Sequence, residues 1–205
     1  MKGKSPLRLL LPALALVLTL TAVLAGAASA EGSSVRLVGD KTKFVTDPAT
    51  TKVLLDNGIS PQPVGPTGFQ LLQKDEGLSV RYSFPITGGS VNLSALTGAI
   101  NHSGGINFVN TNNGKSLLLT NFRIKLGSAT LTAEVNGNPA ARVAILDLDF
   151  SRAKIISQGR HVRVKNVDAS LTEAAAGALN ASLGVTFFSA GIDLGTAQVF
   201  ARVAA

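Results

Sequence analysis

Cysteine and tryptophan are absent from this 205-residue sequence, which has one tyrosine, one methionine and two histidines. Without cysteine no disulfide can staple the fold, and no thiolate can serve as nucleophile or metal ligand. The usual catalytic signatures are also missing. There is no G-x-S-x-G elbow, no H-E-x-x-H helix, no Walker loop and no dinucleotide fingerprint. No solenoid-type repeat is found, and no apolar run after residue 30 is long enough to span a bilayer. Acidic residues number 12 against 19 Lys and Arg. The first thirty residues hold three of those cations and no acid, which leaves the rest at +4. A balance that mild does not argue for nucleic acid.

What is present begins with a leader. Lys2, Lys4 and Arg8 precede an apolar stretch from Leu9 to Ala25, and Ala28-Ser29-Ala30 follows. A basic start, an apolar middle and a small-residue A-x-A end define a secretory signal peptide over 1–30, cleaved after Ala30. No cysteine stands at that site, so the bacterial lipoprotein anchor is not expected. Val199 to Ala205 carries no visible sorting signal. The expected setting is a secreted or surface-associated bacterial protein.

Beyond the leader, apolar runs recur at intervals of about ten residues between turn signals, the pattern of antiparallel strands. Residues 31–77 read as a lead-in. It has a strand near Val35 to Val38, a short helix from Asp47-Pro48 to Asn57-Gly58 with Val53 and Leu54 inward, and a Pro/Gly-rich connector. Residues 78–205 read as the β-rich body, one globular unit with 31–77. Val80, Tyr82 and Phe84 share a face, and Gly88-Gly89 turns the chain toward Val91 to Leu93. Leu96, Ile100 and His102 share the next inward face. Leu118, Phe122, Ile124 and Leu126 face in, as do Ala144, Leu146, Leu148 and Phe150, with Asp147 and Asp149 outward. Val162 and Val164 face in, while His161, Arg163 and Lys165 face out. Ser170-x-x-Glu173 is a capping box for a helix ending at Gly184. Val185 to Phe188 and Ile192 to Val199 close the chain as strands. The expected fold is all-β, an antiparallel β-sandwich with one or two short flanking helices.

Two constellations stand out. Tyr82 and His102 fall on inward faces of neighbouring strands, and Gly104-Gly105 is a bulge or a point of close backbone approach that would admit a flat ligand. The plain reading is a core tyrosine and a core histidine, each satisfied by a hydrogen bond. His161, Arg163 and Lys165, with Arg152, Lys154 and Arg160 before them, form a basic patch for an anionic polymer, a carboxylate or a propionate. Its plain reading is a solvated sheet face. Asp147 and Asp149 lack a third ligand, so no metal site is expected.

The stretch from Gly98 to Phe108, the segments from Leu118 to Ile124 and from Leu131 to Val135, and the run from Val167 to Leu179 resemble the HtaA-type domain of Gram-positive surface and secreted haem-uptake proteins. The resemblance covers about 78–199. It implies a β-rich, exported, non-catalytic module whose characterised relatives bind haem through a tyrosine with a supporting histidine. In the family the tyrosine follows a Ser-Phe pair. Here Ser83-Phe84 is followed by no tyrosine, so the phenol falls to Tyr82 and the histidine to His102. The expected partner is haem or a cell-envelope component. The alternative is a structural or adhesive secreted protein with no small ligand.

Overall fold

The computed structural model describes residues 33–205, so the expectation of a signal peptide lies outside the described residues. The chain divides into Met1–Ala30 and Glu31–Ala205, and every described element lies in the second unit. Its elements in order are β1 (Val35–Thr46), α1 (Pro48–Asp56), β2 (Ile59–Val64), β3 (Gly68–Lys74), β4 (Gly77–Asn92), β5 (Thr97–His102), β6 (Gly105–Asn110), β7 (Ser116–Lys125), β8 (Thr130–Val135), β9 (Asn138–Asp149), β10 (Lys154–Gln158), β11 (His161–Leu171), α2 (Glu173–Leu183) and β12 (Asp193–Val203). Among the described residues no helix is long and apolar enough to cross a membrane.

The strands do not form two packed sheets. They run β1-β4-β5-β7-β8-β9-β11-β12, every neighbour antiparallel, and β12 pairs back onto β1. The fold is a closed antiparallel barrel, which corrects the expected sandwich. Both architectures bury alternate residues on one face of each strand. The pairing that closes this ring, β7 with β8, is an ordinary hairpin contact in sequence, so periodicity does not separate them. Four short strands lie outside the ring: β6 on β7 with β2 beyond it, β3 on β4 and β10 on β11.

Several strands change parity at a bulge. In β1 the register shifts between Leu37 and Asp40, where Asp40 takes φ +76°. Leu37 is therefore inward before the bulge and Thr42 after it. What reads as a short polar lead-in is a twelve-residue wall strand. In β7 a bulge at Asn121 (φ +51°) puts Leu117 and Leu119 inward before Phe122 and Ile124, and leaves Leu118 half-buried. Gly88-Gly89 bends β4 without turning it, and the strand runs on to Asn92. A Cβ on Gly89 would meet the Ala99 carbonyl oxygen at 2.2 Å, so glycine permits the close approach of β5 there.

The helices are set by their caps. Asp47 accepts from the Ala49 and Thr50 N–H groups at the start of α1, with Pro48 next, as expected. Leu54 is buried there, but Val53 is exposed. The cap of α2 is Thr172, not Ser170. Thr172 Oγ1 accepts from Ala175 N–H, while Ser170 and Leu171 still belong to β11. Gly184 ends α2 in the left-handed region at φ +67°. Asn110 and Asn113 donate to the Leu183 carbonyl, fixing α2 at the barrel end that holds the 110–115 turn. Residues 185–192 are not a strand; β12 alone closes the chain.

A candidate ligand site in the barrel

Eight strands give an interior wide enough either to be filled by side chains or to hold one small ligand. This barrel contains a cavity of about 370 Å³, within the size range of small-molecule sites. Its walls are hydrocarbon, from Phe84, Ile100, Leu119, Phe122, Leu146 and Val199 among others. The polar side chains on the lining are Thr42, Ser94 and His102. At one end the lining passes into the turns after β4, β7 and β9 through Leu93, Leu96, Leu126, Phe150 and Ala153. Leu126 N–H bonds Gly98 O and Leu148 N–H bonds Ala129 O, tying those turns into one rim. Leu96 and Ile155 are 39% and 43% exposed, so this is the open end.

His102 is the last residue of β5 and points into the cavity, 5% exposed. Its Nδ1 lies 3.2 Å from the Phe122 carbonyl oxygen, and its Nε2 lies 2.7 Å from Thr42 Oγ1. A carbonyl only accepts, so Nδ1 carries the proton and Nε2 presents its lone pair, accepting from the threonine hydroxyl. Burial holds the imidazole pKa down at about 4 although the Phe122 bond pulls the other way, so the ring is neutral near pH 7. The site thus holds one neutral imidazole in an apolar chamber, its Nε2 lone pair taken by Thr42. Thr42 comes from the segment that reads in sequence as a lead-in. The alternation of Thr42 with Lys41 and Lys43 was the signal for it, obscured by the bulge before it.

Tyr82 is buried on the inward face of β4, 1% exposed, but it is not on the cavity lining. Its hydroxyl donates to the Pro61 carbonyl of β2 at 3.0 Å, and its ring packs edge-on to Phe69 and stacked on Phe84. Burial pushes its phenol pKa well above the ordinary value, which disfavours a phenolate. The structure therefore places Tyr82 and His102 on neighbouring strands without bringing their polar atoms to one chamber. Gly104-Gly105 is a point of close approach, with the protein itself as the neighbour. Gly105 N–H donates to Thr67 Oγ1 at 2.9 Å, and a Cβ on Gly104 would meet that oxygen at 2.3 Å.

His161, Arg163 and Lys165 lie on the outer face of β11. Arg163 sits 4.7 Å and Lys43 sits 5.0 Å from the Phe200 ring centroid, so two cations flank one aromatic ring. Asp147 and Asp149 stand opposite Ser170 and Asp168, not opposite the basic row. Ser151 takes both oxygens of Asp149 and pulls its carboxyl pKa below the usual range. Among the described residues no group of His, Asp and Glu is placed to hold a metal ion.

A small closed β-barrel with an apolar interior and one inward imidazole is the class these features define. The family model described as Htaa matches residues 65–185, more than half of the chain, and the chain belongs to the HtaA family. It is similar to the crystal structure of the C-terminal domain of HtaA from Corynebacterium glutamicum. That likeness has a TM-score of 0.56 at 16% identity and covers 83% of this chain and 99% of that one. A domain-swapped dimer of a histidine-to-alanine variant of that domain gives 0.49 at 18% identity, covering 76% and 92%. No curated protein matches.

Proposed function

We propose that this chain is an exported, non-catalytic HtaA-type module that holds a flat apolar ligand inside the barrel, with haem the candidate and His102 the residue that meets it. The observation that carries the reading is the neutral imidazole: His102 lines a hydrocarbon-walled cavity open at one end, and its Nε2 is held by a single hydroxyl, Thr42, which must turn aside to free the lone pair. Imidazole is a common axial ligand, and this nitrogen fits haem once the Thr42 hydroxyl has turned away from it. The donor set does not fit haem through Tyr82, whose hydroxyl is committed to Pro61 and whose neighbours disfavour its anion. Bound there, haem would supply an iron centre for redox or gas chemistry. The chain's own part is to bind the ring, exclude water from it and hold His102 neutral and oriented through the Nδ1 bond to Phe122, with Thr42 giving up Nε2. Gram-positive envelope placement follows the family.

Haemin titrated into Glu31–Ala205 and read at the Soret band tests this. Wild type is expected to give a saturable band. Both His102→Ala and His102→Gln should weaken binding at least about tenfold, the loss of one coordinating contact, and Tyr82→Phe should bind as wild type. If the histidine variants match wild type, the cavity is not the site. If Tyr82→Phe alone abolishes the band, ligation is through the phenol. If wild type gives no saturable band, the structural or adhesive reading without a ligand replaces this one.

A further inference from the structure

We propose that the open end of the barrel, together with the basic β10–β11 hairpin beside it, docks on an anionic phospholipid surface. The inference starts from β10. It pairs with β11 and has no strand on its other edge. All five of its residues are exposed, and Ile155 and Ile156 point to opposite faces, 43% and 48% exposed. An unpaired edge carrying apolar side chains on both faces is a liability that folds normally cover or blunt. Ile155 also lines the cavity, so this edge is part of its rim, along with the exposed Leu96.

Cations surround that apolar rim. Lys154 stands directly across from Lys165, and Arg202 across from His161. One row further, Arg163 and Lys43 flank Phe200. The three ion pairs among the described residues are Lys52–Asp56, Arg142–Glu134 and Arg152–Asp168, and none involves this cluster. Of the carboxylates near it, Asp149 is held by Ser151 and Asp168 by Arg152, which leaves Asp40 on β1. Like charges directly across a ladder cost stability, and nothing within the barrel neutralises Lys154 against Lys165.

The mixture selects the partner. A soluble polyanion would satisfy the cations but leave Ile155, Ile156 and Leu96 in water. An anionic bilayer takes both: the isoleucines enter the headgroup boundary while lysine and arginine stems lie along it with their charges at the phosphates. Docked this way, the rim of the cavity faces the lipid, and an apolar ligand passes between bilayer and barrel without crossing water. The docking surface does not depend on the ligand being haem.

Co-sedimentation of Glu31–Ala205 with vesicles tests the proposal, and this unit suffices because the closed ring lies within it. Binding is expected to phosphatidylcholine vesicles that contain about a third phosphatidylglycerol, and not to phosphatidylcholine alone. It should fall as salt is raised. Lys154→Glu with Lys165→Glu should weaken it by about thirtyfold or more, at several-fold per charge lost near the surface. Ile155→Ser with Ile156→Ser should weaken it without changing its salt dependence. Lys115→Glu, at the far turn, should leave it unchanged. Far-ultraviolet circular dichroism checks that each variant folds. Equal binding to neutral and anionic vesicles, or to neither, overturns the proposal. Capture by soluble polyphosphate that is indifferent to the isoleucines would assign the patch to a polymer and overturn it too. A dimer dissociated by Ile156→Ser, with no vesicle binding, would give the β10 edge to a second copy instead.

Discussion

A histidine kept neutral inside a hydrocarbon chamber ties the stability of the whole barrel to pH. The pKa of His102 in the fold is about 4, against 6.5 for an unperturbed histidine. The unfolded chain therefore binds the proton that the folded chain refuses. Stability is fully present above about pH 6.5 and is lost as pH falls toward 4, by about 3 kcal/mol over that window. Urea midpoints at pH 7 and pH 4.5 should show this loss in wild type. His102→Gln should flatten it, because glutamine has no proton to gain. An unchanged slope in that variant would place the acid sensitivity elsewhere. At this scale the sequence was partly legible. The inward direction of His102 and of Tyr82 follows from alternation along their strands, and both are buried. The partners were not legible. Thr42 lies 60 residues from His102, Pro61 lies 21 from Tyr82, and Thr67 lies 38 from Gly105. Only the pairing of β1 and β5 on either side of β4, and the return of the β2 segment across β6, bring those groups together.

Elements were read well where their signals are local and poorly where a bulge intervenes. α1 has its Asp-Pro start and Asn-Gly end within a dozen residues, and it forms as expected. α2 has two candidates for its cap, Ser170 and Thr172, and the choice depends on how far β11 persists. Pairing of Ser170 with Asp147 and Asp193 holds the strand two residues longer than the capping-box pattern suggests. Thr172→Ala should cost about 1–2 kcal/mol in thermal or urea unfolding, since it loses the cap to Ala175 and the bond to Ala144. Ser170→Ala should cost little. The reverse ranking would restore the capping-box assignment. The bulges at Asp40, Asn121 and Asn166 each reverse which residues face inward; each falls on an Asp or Asn, which tolerates positive φ, but a lone such residue inside an apolar alternation does not read as a break. That is why β1 reads as a polar lead-in and why Leu118 reads as core.

At the scale of the molecule the controlling feature is the closed ring, because closure makes the cavity. Phe122 sits where β7 meets the chamber, 6% exposed, packed edge-on to Phe84 with centroids 4.9 Å apart. Phe122→Ala should cost about 3–5 kcal/mol, the penalty for deleting a buried aromatic ring. A denaturation midpoint near wild type would mean that the wall is not packed as described. In the proposed function the ligand enters this barrel and meets His102. Nuclear magnetic resonance of the His102 ring nitrogens during haemin addition tests it most directly. Before addition Nδ1 should be protonated and Nε2 not. After it, paramagnetic broadening should be strongest at His102 and at the Ile100 and Leu119 methyls. Broadening centred on Tyr82 and Phe69, or spread over the Phe200 face with His102 unchanged, would contradict it.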